Sequence, residues 1–288
     1  MVNNLKALFL IVFLSGILLL IGGLVGGMSG LIIALIFAFA MNIGSYWFSD
    51  KLALKMTGAK EVTREQEPRL HEAVEEVSQL AGLPKPRVYL IQNDSPNAFA
   101  TGRNAKHAAV AATTGIMGIL DDRELKAVFG HELGHIQNHD ILINAMVATV
   151  ASAIMFIAMI GRWSLIFGGF GRSRDNGMAG IFAMIAMIIL APIAATVVRM
   201  AVSREREYGA DSTGAHITHT PMALASALQK LQDYSKVRPM QVNPAVSHLF
   251  IVNPLGKVDF GSLFSTHPAT DKRIARLNQI ARQTGDFS

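Results

Sequence analysis

The sequence predicts a mainly α membrane protein, with four transmembrane helices and a cytoplasmic α+β domain built around a small β-sheet. Three observations predict it. The 288 residues are 51% apolar and only 16% charged, against about 25% charged in an ordinary soluble domain. The apolar excess is concentrated in four runs of about 20 residues: Leu5–Gly27, Met28–Phe48, Ile141–Gly161 and Met178–Val198. Lys6 is the one charge among them, and the length suits a helix crossing a roughly 30 Å hydrocarbon layer. The third observation is what remains, two polar stretches with both helical and strand periodicity.

These runs divide the chain into a first hairpin of spans (1–48), a first part of the cytoplasmic domain (49–140), a second hairpin of spans (141–198) and a second part (199–288). Lys6 before an apolar run also suits a signal peptide. The run is too long for that, and a second span follows at once. Gly22-Gly23 and Gly26-Gly27 suit a tight turn between the first two spans. Lys51, Lys55, Lys60 and Arg64 follow span two, and Arg199, Arg204 and Arg206 follow span four. Positive flanks face the cytoplasm, so both termini and the polar stretches are expected on the cytoplasmic side of the membrane. A cytoplasmic reading from a reporter fused at Asn176, in the Gly-rich loop 167–177, would contradict this topology.

Within the polar stretches, Leu70, Val74, Val77 and Leu80 repeat at helical spacing over 65–81. Pro68 falls in the first turn, where its missing N–H costs little, and Gly82 suits the stop. Arg87–Ile91 reads as a strand. Residues 97–102 and 107–114 read as a hairpin with 103–106 at its tip. Asp121 with Glu124 reads as a capping box, opening a helix expected to run on into the third span. Pro221–Leu231 and Asp271–Ala281 are helical, and 235–266 reads as a long irregular segment.

Cysteine is absent, which excludes disulfides, thiol nucleophiles and Cys-based metal sites. Any metal must sit on His, Asp or Glu. The net charge of +5 admits nucleic acid or a membrane surface as partner. The basic residues flank apolar runs, which favours contact with anionic lipid and argues against nucleic acid.

The sharpest chemical signal is His131-Glu132-Leu133-Gly134-His135. Residues four apart on a helix project from one face, one turn apart. Two imidazoles so placed can bind one Zn²⁺, with Glu132 beside them as general base. Two unrelated surface histidines are the bland alternative. A catalytic site needs a third protein ligand and an open position for water. The longer motif with a third His is excluded, since Asn138 and Ile141 stand where Gly and His would be required. The run Ser203–Asp211 supplies carboxylates after span four. Glu207 and Asp211 share a helical face, as ligand and as acceptor for a ligand His N–H. Glu205 is the rival ligand, and spacing alone leaves both open. His216 and His219 form an i, i+3 pair read as a surface feature.

With these residues in view, the chain resembles the HtpX family of heat-shock-associated integral-membrane zinc metalloproteases, and the wider group that includes the CAAX prenyl endoproteases. The likeness spans nearly the whole chain: two spans, the motif at 131–135, two more spans, and Glu207-Tyr208-Gly209-Ala210-Asp211. It implies a zincin-like fold for the cytoplasmic domain and one Zn²⁺ per chain on His131, His135 and Glu207, with Asp211 and Asp140 behind the ligands. It implies that His267 and Arg273, from His267-Pro268 and the Arg six residues after the His, face the site, where they could stabilise an oxyanion. It also implies that Asn97, Ala98 and Phe99 lie beside the cleft, where an exposed strand could take extended substrate by edge pairing. Four spans argue against a prenyl protease, which has more of them. The expected function is cleavage of misfolded or damaged membrane proteins at the cytoplasmic face, in membrane quality control under stress. Candidate partners are membrane-protein substrates, the bilayer and other quality-control proteases. The rival reading is a non-enzymatic membrane scaffold with an incidental metal site.

Overall fold

The computed structural model describes residues 2–141, 143, 204–237, 239–240, 242, 246–252 and 268–286. The expected third and fourth spans lie outside the described residues, as does His267. Helix α1 runs Val2–Thr57, helical throughout except at Gly27 (φ 58, ψ −138). That break falls within the glycine pairs expected to turn the chain. Side chains are described for only part of α1. Among the described residues, no helix is long and apolar enough to cross a membrane.

The remaining elements follow in order: β1 (Lys60–Glu61), α2 (Pro68–Leu80), β2 (Arg87–Ile91), β3 (Ala98–Gly102), β4 (Ala108–Thr113), α3 (Thr114–Ile119), α4 (Asp122–Gln137), α5 (Arg204–Thr218), α6 (Pro221–Val237) and α7 (Thr270–Thr284). The four strands form one mixed sheet in the order β1-β2-β4-β3, with β2 and β4 parallel and the other pairs antiparallel. β3 is an edge strand, in register with β4 from Ala98↔Ala112 to Gly102↔Ala108.

The period of two along the strands decides what each sheet face covers. Val88, Leu90, Ala98, Ala100, Val110 and Ala112 join α2, α4 and α6 in the main core. Tyr89, Ile91, Phe99, Ala109 and Ala111 turn the other way, onto Ala53 and Leu54 of α1 and onto Leu249 and Phe250. Both faces are covered, so these strands are almost wholly apolar.

The capping box at α4 is present: Glu124 N–H donates to Asp121 Oδ1 at 2.9 Å, and Asp121 N–H to Glu124 Oε2 at 3.0 Å. The same Glu124 carboxylate accepts from Ser226 and Lys230 of α6, at 2.7 Å each. One buried acid therefore caps the motif helix and ties it to α6.

The expectation that α4 continues into the third span is corrected. The helix ends at Gln137, capped by Asn138. His139 then takes a left-handed conformation (φ 61), and Asp140 N–H returns to His135 O at 2.8 Å. No glycine marks this break, which is why the sequence concealed it.

Candidate metal centre

The metal-ligand face of α4 meets α5 along a strip of small residues. A Cβ on Gly214 would stand 2.5 Å from His131 N and 2.6 Å from Gly130 C. A Cβ on Gly134 would stand 3.0 Å from Ala210 O. Glycine at these positions lets the two helix backbones approach to contact. Glu207, Ala210, Asp211, Gly214 and Ala215 form the buried stripe of α5, spaced as one helical face. That approach carries the carboxylates of α5 to the imidazoles of α4.

His131, His135 and Glu207 converge there, their ligand atoms all within 4.8 Å of one another and all three side chains buried. The Nε2 atom of His131 lies 3.7 Å from Glu207 Oε2, and that of His135 lies 3.6 Å from Glu207 Oε1. Such distances are long for hydrogen bonds. They are close to the separation of about 3.4 Å between two ligands of one tetrahedral ion. The opposite ring nitrogens are held by carboxylates. His131 Nδ1 is 2.9 Å from Asp211 Oδ1, and His135 Nδ1 is 3.2 Å from Asp140 Oδ2. Each Nδ1–H donated to a carboxylate leaves the lone pair of Nε2 facing Glu207. Two such imidazoles and one carboxylate fit a divalent ion of borderline softness. Glu205 is exposed and Glu207 is buried, so the rival carboxylate points away.

Glu132 lies within the same pocket of charge. Burial pushes its carboxyl above the ordinary carboxylate range, against the opposing pull of His131 and His135. Its Oε1 is buried and makes no hydrogen bond among the described residues. An acceptor left open beside two imidazoles is placed to take a proton from a water molecule. At His135, burial disfavours the charged ring. The hydrogen bond to Asp140 and the carboxylates of Glu207 and Glu132 outweigh it, and the group is pushed up to about 8.

Arg273 stands beside the ligands, with Nη1 3.9 Å from Glu207 Oε2. Its guanidinium is 1% exposed and grips Asp211 twice, Nε to Oδ2 at 2.8 Å and Nη2 to Oδ1 at 2.7 Å. Nη2 is 3.4 Å from His131 Nδ1, the nitrogen turned away from Glu207. Burial works against both charges. The pair overcomes it, holding the Asp211 carboxyl well below the usual range and the Arg273 guanidinium above its own.

The expected exposed edge at Asn97, Ala98 and Phe99 is also corrected, because all three are fully buried. Asn97 Nδ2 donates to Val252 O at 2.9 Å. Ile251 N–H donates to Ala98 O at 3.0 Å, and the Phe99 ring meets Phe250 edge-on at 5.2 Å. Residues 250–252 thus cover the start of β3's outer edge. Arg273 Nη1 donates to Ile251 O at 2.9 Å, which links this cover to the metal centre.

The Ala100 N–H, in the segment that the resemblance placed beside the cleft, faces the Glu132 carboxylate. One residue near the site escaped the sequence. Arg206 is 9% exposed, and burial lowers its pKa despite the nearby charges of Asp140 and Glu207. It had read as one of several basic residues after a span.

A helix carrying two metal-facing histidines and a buried Glu, completed by a Glu from a later helix, defines a metallopeptidase. The comparisons agree. The chain belongs to peptidase family M48, whose model matches residues 64–281. It is 49% identical over 287 residues to a protein from Persephonella marina named Protease HtpX homolog, covering 98% of this chain and 99% of that relative. A Pyrococcus furiosus protein of the same name is 51% identical over 277 residues, covering 96% and 95%. Among solved structures, the crystal structure of S. mikatae Ste24p matches with a TM-score of 0.52 at 18% identity. That match covers 96% of this chain and 66% of the Ste24p chain, and it speaks to fold alone.

Proposed function

We propose that this chain is a membrane-embedded, zinc-dependent endopeptidase that cleaves misfolded or damaged membrane proteins at the cytoplasmic face of a bacterial inner membrane. The observation that carries the reading is the convergence of His131, His135 and Glu207, each imidazole oriented by its own carboxylate. His131, His135 and Glu207 would hold the zinc, one per chain, with Asp211 and Asp140 fixing the ring orientations. When bound, the ion supplies Lewis-acid polarisation of water and of the scissile carbonyl.

The chain's own residues do the rest. Glu132 takes the proton of the attacking water and delivers it to the leaving amine. Its raised pKa suits a group that must both accept and donate near neutral pH. Asn97, Ala98 and Phe99 keep the cleft-side place that the family resemblance implies, with the Ala98 carbonyl already engaged by Ile251. His267 keeps the role the family resemblance implies, at the oxyanion. Arg273 is assigned to holding Asp211.

The membrane reading keeps the division into spans at 1–48 and 141–198 and catalytic parts at 49–140 and 199–288. The charge-free runs support it, as does the exposure of apolar side chains around nearly the whole circumference of α1 beyond Gly27, among them Ile33, Ile36 and Phe39. The test is elemental analysis of the purified chain together with cleavage of a misfolded membrane protein. One zinc per chain is expected, with zinc and cleavage lost together in Glu207→Ala. Cleavage by a zinc-free chain would overturn the assignment.

A further inference from the structure

The tip of the β3–β4 hairpin, residues 103–107, carries Arg103, Lys106 and His107 with no acid. Lys106 and His107 are exposed. Arg103 lies over the indole of Trp47, 4.6 Å from the ring centroid. Trp47 and the adjacent Phe48 end the second apolar run of α1 and are 50% and 58% exposed. One turn on, Lys51 lies over the Phe48 ring at 5.7 Å. Lys51, Lys55 and Lys60 are exposed too. The one acid between residues 28 and 60 is Asp50, which is buried and paired with Arg87 at 3.4 Å. An exposed Trp-Phe pair bordered by exposed cations has the composition of a bilayer interface. The matching layer is anionic, because each basic side chain near such a surface is attracted to it.

We propose that the β3–β4 hairpin tip docks on anionic lipid headgroups beside α1, and that β3 then spaces Glu132 about 10 Å from the headgroup layer. The spacing follows from the strand. Ala100 faces Glu132 and Arg103 meets Trp47, three residues apart at about 3.4 Å each. Substrate reaching Glu132 is then cut within a few extended residues of the bilayer. This rests on reading 28–48 as a membrane span.

The experiment uses the full chain in vesicles of phosphatidylcholine, with or without phosphatidylglycerol. Lys106→Cys supplies the chain's single thiol for an environment-sensitive label. Headgroup-quencher lipids should quench the label more in anionic vesicles, and Arg103→Glu should weaken that docking about fivefold. Cleavage of a bilayer-anchored reporter, mapped by mass spectrometry, should fall next to the anchor in anionic vesicles. It should move outward in Arg103→Glu, while hydrolysis of a soluble peptide in detergent is unchanged. Equal quenching in both lipids, or one cleavage position for wild type and Arg103→Glu, would overturn the inference and leave the protease reading intact. Release of the chain by alkaline carbonate would overturn the membrane reading and this inference with it.

Discussion

Asp211 Oδ1 stands 2.9 Å from Nδ1 of His131, and the Nε2 of that ring faces Glu207. The same carboxylate is held at both oxygens by Arg273. The orientation of a metal-ligand ring therefore depends on an ion pair that is itself buried. Removing the charge of Asp211 leaves buried Arg273 with only the longer contact from Nη1 to Glu207 Oε2, at 3.9 Å. For Asp211→Asn we expect a stability loss of about 3–5 kcal/mol and a zinc affinity lower by about 10–100-fold. Denaturant unfolding and zinc competition measure the two.

Arg273→Lys separates orientation from oxyanion chemistry. Lysine cannot reproduce the bidentate grip on Asp211 or the bond to Ile251 O. Both stability and zinc affinity should fall, in step with Asp211→Asn. If kcat alone fell, with zinc affinity unchanged, the group would be acting on substrate instead.

Gly214→Ala places a methyl 2.5 Å from His131 N, against backbone that cannot yield. We expect α5 to be pushed off α4, costing about 1–3 kcal/mol and most of the peptidase activity. Gly118 is the control, since a Cβ there meets nothing within 4 Å. Gly118→Ala should be neutral or slightly stabilising. Thermal melts and activity assays of the two variants provide the comparison.

Zinc binding should depend on pH through His135. Its metal-free pKa is raised from 6.5 to about 8, so the ring is charged at neutral pH and must lose its proton to bind metal. Zinc affinity is expected to climb about tenfold per pH unit below 8 and to level off above it. Asp140→Asn should move the levelling point to lower pH. In the metal-free chain the sign reverses. The stabilisation from charged His135 is complete below pH 6.5 and is lost as pH rises through about 8. Zinc titrations and metal-free melts across this range read both effects.

The fold after α1 was legible wherever local chemistry decides it. Pro68, the Asp121–Glu124 box and the apolar strands at 87–91 and 108–113 announce themselves through backbone geometry and period. The break after Gln137 was not legible, because a non-glycine residue, His139, adopts the left-handed conformation. At the site, the spacing of His131 and His135 is a property of one helix. The pairing of Glu207 with them depends on Gly130, Gly134 and Gly214 across two helices, a contact no single segment encodes. Asn97 was expected on an exposed strand and is buried against Val252 O, while the grip of Arg273 on Asp211 joins two helices that no single segment brings together.

In the proposed mechanism Glu132 moves the proton while His131, His135 and Glu207 hold the metal. Glu132→Gln keeps size and burial but removes the base. Zinc content and cleavage of a membrane-protein substrate should be measured on the same preparation. One zinc per chain, as in wild type, is expected, together with loss of cleavage. Wild-type cleavage by Glu132→Gln with its zinc in place would contradict the mechanism.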